Sequence, residues 1–282
     1  MYMTAPAQPA APIKLVIVDI DGTIAGRSNQ VTPAVKAAIK AAQAQGVRVG
    51  VATGRMYRSA VRFHHEIGAD VPVMAYQGAW IQDPVTNKKY RHLRLEQSIA
   101  RELIDYFQQS HLPSDLSLHV YVDDQLYVQR INEDTDGYTE RSGVEAIALT
   151  NLKEALTTAP TKVLAMHPDV DLIDRLLKDL KTKYRPDQLH VTTSVPIFLE
   201  TTNPAVNKST AIDYVAKELL NIDASQIMTI GDNYNDVEML AYAGWGIAMG
   251  NAPEPVKAYA DWVAPSVDED GVAVAIEKFV LR

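Results

Sequence analysis

Short apolar runs alternate with amphipathic stretches over much of this chain. Residues Leu15–Val18 and 227–230 are aliphatic almost without interruption, and 47–52 and Val73–Ala75 are nearly so. Runs of this length that are apolar on both faces belong to strands buried on both sides, as in a parallel sheet covered by helices. Between the first two, Thr32-Pro33 predicts a helix start, since Thr caps well and Pro suits the first helical position. That helix runs to about residue 45 with Val35, Ala38, Ile39 and Ala42 on one face, and Gly46 closes it. Further helices are predicted over about 57–67, over a stretch carrying Ala211, Ile212, Val215, Ala216 and Leu219, and over 237–243 and 272–280. Two more strand-like pieces fall at 246–249 and 261–264. The alternation predicts an α/β fold: a Rossmann-like parallel-sheet core with helices on both faces.

From 81 to 196 the pattern changes. Residues 118–122 and 125–129 read as a hairpin joined at Asp123-Asp124, and helices over 96–109 and 170–184 alternate with strands at 162–166 and 188–193. This segment is predicted to be an inserted α+β domain. A strand at 197–200 is expected to lead back, so that the core comprises 13–80 and 197–282. The Ala/Pro-rich residues 1–12 are expected to form a disordered tail.

Composition narrows the function classes. The 282 residues, 47% hydrophobic and 22% charged, suit a soluble protein with a substantial core. A net charge of −8 argues against nucleic acid or anionic membranes as partners. The absence of cysteine excludes disulfides, thiol catalysis and zinc-thiolate sites. No apolar run approaches a membrane span and no signal-like start is present, so a cytoplasmic location is expected.

The candidate chemistry sits where the apolar runs end. Leu15–Val18 runs into Asp19-Ile20-Asp21-Gly22-Thr23, the second run into Thr53-Gly54-Arg55, and 227–230 into Gly231-Asp232 with Asn235 and Asp236 just beyond. Lys208 stands at the start of an amphipathic helix. Each motif has an ordinary reading: Asp-Gly ends strands, Thr caps helices, and a lone Lys is usually solvated. Right-handed crossovers, however, place the C-terminal ends of parallel strands on one rim, where open α/β sheets bind ligands. Together the residues predict a carboxylate that attacks a phosphoryl group, a neighbouring acid that moves protons, and a divalent cation, Mg²⁺, that holds the acids together. A hydroxyl and backbone amide at Thr53-Gly54 suit a phosphate oxygen.

With these motifs assembled, the chain resembles the haloacid dehalogenase-like superfamily, and within it the Cof-type phosphatases with a type IIB cap, over nearly its whole length from Lys14. Asp19-Ile-Asp21-Gly-Thr23 matches the first motif, Ala52-Thr53-Gly54-Arg55 the second, Lys208 the third, and Gly231-Asp232-x-x-Asn235-Asp236 the fourth. The segments 248–252 and 269–272 also resemble the C-terminal pattern of the group. Only 32 positions separate Asp21 from Thr53, whereas 155 separate Thr53 from Lys208, so any cap lies in the second interval.

The resemblance implies Asp19 as nucleophile and Asp21 as general acid and base. It implies Mg²⁺ held by Asp19, the backbone carbonyl of Asp21 and Asp232, with Asp236 close by, and phosphate held by Thr53, Gly54, Lys208 and Asn235. Arg55 and Gln77 are the positions where it implies substrate contact, although Gln77-Gly78 stands where the group usually has Asn-Gly. The expected substrate is a small phosphorylated metabolite, a sugar phosphate or phosphorylated cofactor. A phosphomutase using the same aspartyl-phosphate is the alternative among enzymes. A receiver-like signalling or phosphate-binding protein is the alternative of another class, opposed by the long insertion and by the acid at Asp21.

Overall fold

The computed structural model describes residues 8–281. The expected tail therefore falls partly outside the described residues, at 1–7, and residues 8–12 carry no helix or strand. The chain begins β1 (Leu15–Val18), α1 (Pro33–Ala44), β2 (Arg48–Val51), α2 (Tyr57–Glu66), β3 (Val73–Ala75), β4 (Trp80–Gln82), β5 (Lys89–His92) and α3 (Gln97–Phe107). It continues with β6 (Ser117–Val122), β7 (Gln125–Val128), α4 (Glu133–Ser142), β8 (Ala146–Ala148), β9 (Lys162–Met166), α5 (Val170–Lys183), β10 (His190–Thr192) and β11 (Phe198–Thr202). Last come α6 (Lys208–Tyr214), β12 (Ile227–Gly231), α7 (Val237–Tyr242), β13 (Trp245–Ala248), α8 (Glu254–Lys257), β14 (Trp262–Val263) and α9 (Gly271–Phe279). Among the described residues no helix is long and apolar enough to cross a membrane.

Two compact units result. Among the described residues the first comprises 8–53, Ala60–Tyr90 and 207–281, and the second Gly54–Ser59 and Arg91–Val206.

In the first unit five strands form a parallel sheet in the order β14-β13-β12-β1-β2. Leu15 and Ile17 of β1 point into a cluster with Ala211, Ile212 and Val215 of α6 and its continuation, and that cluster takes in no residue of α1 or α9. The alternate residues Val16 and Val18 are equally buried, as a strand covered on both faces requires. α1 starts as its sequence predicts: the Thr32 hydroxyl accepts from Val35 N–H and Pro33 opens the first turn. Because β12, β1 and β2 are parallel neighbours, their C-terminal ends lie side by side, and β1 is the strand from which the order proceeds in both directions.

The second unit is built on a six-stranded sheet in the order β10-β11-β9-β6-β7-β8, all antiparallel pairs except β7 with β8. One face, with Leu118, Val120, Val122, Val163, Ala165 and Leu199, packs against apolar residues of α3 and α5. The β6–β7 hairpin turns at Asp123 and Asp124, both at positive φ (46° and 63°), the backbone that a two-residue turn matched to strand twist demands. The segment Gly54–Ser59 joins this unit through Asp124, which accepts from Tyr57 N–H at 3.1 Å and Arg58 N–H at 3.0 Å.

The structure divides the chain differently from the sequence at both borders of the insertion. β4 continues the first unit, because it folds back antiparallel on β3 through the tight turn Tyr76–Gly78, and the border falls within β5, after Tyr90. The strand predicted at 197–200 to lead back is β11, and it pairs with β9 and β10 inside the second sheet. The apolar pattern marks a strand in either case, but only pairing partners say which sheet receives it. α4 has no counterpart in the sequence pattern, because its residues carry no apolar stripe. Its ends are set by Asn132, which accepts from Thr135 N–H, and by Gly143 at φ 68°.

Candidate active site

The site of the first unit starts from β1. Asp19 N–H donates to Ile230 O at 3.0 Å, which keeps Asp19 beside β12 after the strand proper has ended. The chain then turns sharply: Ile20 O accepts from the N–H groups of Thr23, Ile24 and Ala25. Gly22 is required on two counts. Its φ is +76°, and a Cβ there would lie 2.1 Å from Asp232 Oδ2.

Lys208 is the first residue of α6, behind the cap Asn207, whose side chain accepts from Thr210 N–H. Its side chain is wholly buried, and Nζ donates to Asp19 Oδ1 at 2.8 Å and to Asp236 Oδ1 at 2.5 Å. The second oxygen of Asp236 accepts from the N–H groups of Asp232 and Asn233 at 2.9 and 3.0 Å. Gly231 permits that fold-back, since a Cβ there would meet the Asp236 side chain at 2.6 Å. Asp232 in turn accepts from Thr23 Oγ1 at 3.3 Å and from Asn251 Nδ2 at 3.2 Å. Asn251 Nδ2 also donates to Gly22 O at 2.9 Å, while its Oδ1 accepts from Val267 N–H.

Carboxylate oxygens of Asp19, Asp232 and Asp236 lie within 4.8 Å of one another, and the Lys208 ammonium bonds two of the three acids. The electrostatic consequence is plain. Burial pushes the Asp19 carboxyl up to about 7 against the pull of Lys208, with Asp236 and Asp21 adding to the rise. Burial and the Asp236 and Asp19 charges push Asp232 up to about 8. Lys208 is held protonated, because Asp19 and Asp236 outweigh the desolvation that would discharge it. Buried acids that repel one another and are short of positive charge are the donor set a hard divalent cation fits, and oxygen ligands of this kind suit Mg²⁺.

The other predicted residues fall into three groups. Asp21 is half-buried on the turn, close enough to raise Asp19, but its carboxylate is outside the cluster of three. Thr53, Gln77 and Asn235 are linked to one another: Gln77 N–H donates to Thr53 O at 2.9 Å, and Asn235 Nδ2 donates to Gln77 Oε1 at 3.1 Å. Gly54 and Arg55 lie on the segment that belongs to the second unit, where Gly54 O accepts from Lys162 Nζ at 3.4 Å and Arg55 donates to Ser59 Oγ at 3.5 Å.

Sequence reasoning does not find Thr23 and Asn251 as partners of Asp232. Nor does it find a polar patch in the second unit, on the sheet face opposite the apolar cluster. There a buried Lys162–Glu200 pair at 3.2 Å sits with Tyr121, whose ring lies 4.8 Å from Lys162 Nζ, and with His119. Burial and the Lys162 charge push His119 down to about 3, so it is neutral. The strict alternation of polar and apolar residues in β6 is the signal that could have found this patch.

An open parallel sheet with three acids and a buried lysine at its carboxyl rim, in a chain that also carries an inserted, largely antiparallel unit, defines the class of the haloacid dehalogenase-like hydrolases. The chain belongs to that family, whose model matches residues 16–276. Among its relatives, the Bacillus subtilis (strain 168) protein YxeH, whose name places it with the phosphatases, is 32% identical over 282 residues, covering 95% of this chain and 98% of its own. A second protein of that organism, 5-amino-6-(5-phospho-D-ribitylamino)uracil phosphatase YitU, is 25% identical over 94% of this chain and 97% of its own. A solved HAD subclass IIB sugar phosphatase shares the fold with a TM-score of 0.82 at 22% identity, over 94% of this chain and 98% of its own.

Proposed function

We propose that this protein is a Mg²⁺-dependent phosphatase that hydrolyses a small phosphorylated metabolite through an aspartyl-phosphate on Asp19. The observation that carries this reading is the grip of Lys208 on Asp19. The ammonium engages Oδ1 alone, and among the described residues Oδ2 accepts no hydrogen bond, so one oxygen of a fixed carboxylate is available for attack. Asp19 Oδ2 forms the new bond to phosphorus as the ester P–O bond breaks, and Asp21 delivers its proton to the departing alkoxide. Asp21, now ionised, takes a proton from water as that water attacks the phosphoryl group and frees Asp19. Thr53, Gly54 and Asn235 hold phosphate oxygens with Lys208. A bound Mg²⁺, held by Asp19, Asp232 and the Asp21 carbonyl with Asp236 nearby, supplies the positive charge that lets an anionic nucleophile approach an anionic group. The units correspond in this reading to a catalytic core and a type IIB cap. The test is a phosphate-release screen over a panel of sugar phosphates and phosphorylated cofactors, with Mg²⁺ and with chelator. Release from no ester in Mg²⁺, or equal release in chelator, refutes it.

The pKa shifts give a pH signature. Asp19 and Asp232 titrate at about 7 and about 8 in the fold, against 3.8 for an ordinary Asp, so the metal-free folded protein keeps protons that an unfolded chain has released. Stability from these groups is therefore complete below about pH 4 and is lost as pH rises toward 8. In chelator the unfolding temperature should fall from pH 6 to pH 8.5, and Mg²⁺ should remove most of that slope and raise the temperature overall. A flat profile unaffected by Mg²⁺ would contradict the metal assignment.

Leaving-group choice is assigned to the second unit. YitU, by its name, acts on a phosphate carried by a ribityl chain, and the buried Lys162–Glu200 pair offers charge-assisted hydrogen bonds of the sort that read sugar-like hydroxyls. Glu200→Gln should reorder preference across the metabolite panel by about tenfold while changing hydrolysis of a small aryl phosphate little. An unchanged ranking would remove Glu200 from substrate choice.

A further inference from the structure

Lys208 bonds Asp19 and Asp236, whereas Asp232 is held by neutral groups: Thr23 Oγ1 donates to its Oδ1 and Asn251 Nδ2 to its Oδ2. Neutral donors orient a carboxylate without supplying countercharge, which leaves the charge of Asp232 for a cation. The two donors differ in setting. Thr23 is buried on the turn after β1, but Asn251 is exposed, where water could satisfy its amide. Protein groups engage both ends of that amide instead. Nδ2 donates to Gly22 O at 2.9 Å as well as to Asp232 Oδ2 at 3.2 Å, and Oδ1 accepts from Val267 N–H at 2.9 Å. The last bond fixes which way the amide faces: with its oxygen on Val267, its NH₂ group points at Asp232 and Gly22.

The aim of Val267 N–H is itself built into the fold. Met249 N–H donates to Gly231 O and Gly250 N–H to Pro265 O, so the segment carrying Asn251 lies between the end of β12 and the chain after β14. A Cβ on Gly250 would lie 2.8 Å from Ser266 N, so the close approach needs glycine. Ser266 caps the short helical turn Val267–Glu269, its N–H and its hydroxyl both donating to Glu269 Oε2. The first N–H of a helical turn has no partner within it, and here that N–H is the one that holds Asn251.

We propose that Asn251 is a positioning residue for Asp232 and that Val267 N–H sets its orientation, so that affinity for the divalent cation depends on a backbone donor in the C-terminal turn. The proposal rests on the metal assignment made under the proposed function and adds the device that aims one of its ligands.

Val267→Pro isolates the device. It deletes the N–H at the first position of a helical turn, where Pro is tolerated, and Ser266 already has the extended backbone, φ −67° and ψ 168°, that a residue before Pro adopts. Val267→Ala is the control that trims the side chain and keeps the N–H. The full chain is titrated with Mg²⁺, and protection against thermal unfolding gives the dissociation constant. Asn251→Ala and Val267→Pro should each weaken Mg²⁺ binding by about tenfold or more, and Val267→Ala should bind as wild type does. The double variant should lose no more than Asn251→Ala alone, because Val267 acts through Asn251. A lower unfolding temperature in chelator with an unchanged Mg²⁺ constant would make Asn251 a structural residue only, and the proposal falls. It falls also if losses add in the double variant or if Val267→Ala weakens binding as Val267→Pro does. Should Val267→Pro misfold, Asn251→Ala decides alone. If Mg²⁺ does not protect wild type, the metal assignment fails and this proposal with it; a protected wild type with unaltered variants fails only the proposal.

Discussion

Asp19→Asn is expected to show no turnover and no phosphoenzyme, while Asp21→Asn, given Mg²⁺ and an ester with a good leaving group, is expected to accumulate one phosphoryl group on Asp19. The two acids are two residues apart but occupy different settings. Asp19 is buried, bonded through one oxygen to Lys208 and tied to β12 by its backbone N–H. Asp21 is half-buried on the turn, outside the cluster of three acids. Replacing the Asp19 carboxylate removes the atom that bonds phosphorus, so no other residue rescues the step. Replacing Asp21 removes proton transfer, a contribution of roughly 10²–10⁴-fold, but leaves attack possible when the leaving group needs no proton. Hydrolysis of the intermediate still needs a base, so it stalls. Intact mass after rapid quench distinguishes the two. If neither variant carries phosphate and the wild-type reaction inverts configuration at phosphorus, water attacks directly and Asp19 is a ligand only.

The second large effect concerns Lys208. Its ammonium is wholly buried between Asp19 and Asp236, so Lys208→Met deletes the countercharge and leaves buried carboxylates facing one another. Breaking a buried pair by removing one partner typically costs about 3–5 kcal/mol, and most of that is the orphaned charge. The pH dependence gives the check. Asp19 already titrates at about 7 with Lys208 pulling it down, so without Lys208 it rises further and is protonated at neutral pH. The variant should therefore be severely destabilised at pH 8.5 and much less so at pH 5.5, where Asp19 and Asp232 carry protons, and Mg²⁺ should recover part of the loss. Urea unfolding at the two pH values, with and without Mg²⁺, measures this. Equal destabilisation at both would mean that Lys208 contributes packing rather than charge. Activity should be lost at either pH, because the ammonium that fixes Asp19 is gone.

How much of the fold is legible along the chain turns on how far apart in sequence the partners are. Apolar runs, helix caps and turn residues act over a few positions, so β1, β2, β12, α1 and the Asp123-Asp124 hairpin are legible from local pattern. So is the convergence of Asp19, Thr53 and Asp232 on one rim, because parallel strands joined by right-handed crossovers leave no other arrangement. The sheet that receives a strand is not legible in this way. Phe198–Thr202 has the same apolar character in either unit, and only its ladders with β9 and β10 place it in the second. Side-chain partners are least legible of all. Lys208 meets Asp19 across 189 positions and Asn251 meets Gly22 across 229. A lone Lys at a helix start and an Asn after a strand carry no local sign of that. The sequence by itself thus determined which strands are buried and which acids end them, since both follow from local pattern. Tertiary structure alone decided which ammonium those acids share, which amides hold Asp232 and Asn235, and which backbone N–H orients Asn251, because those depend on three-dimensional packing between segments that no local pattern relates.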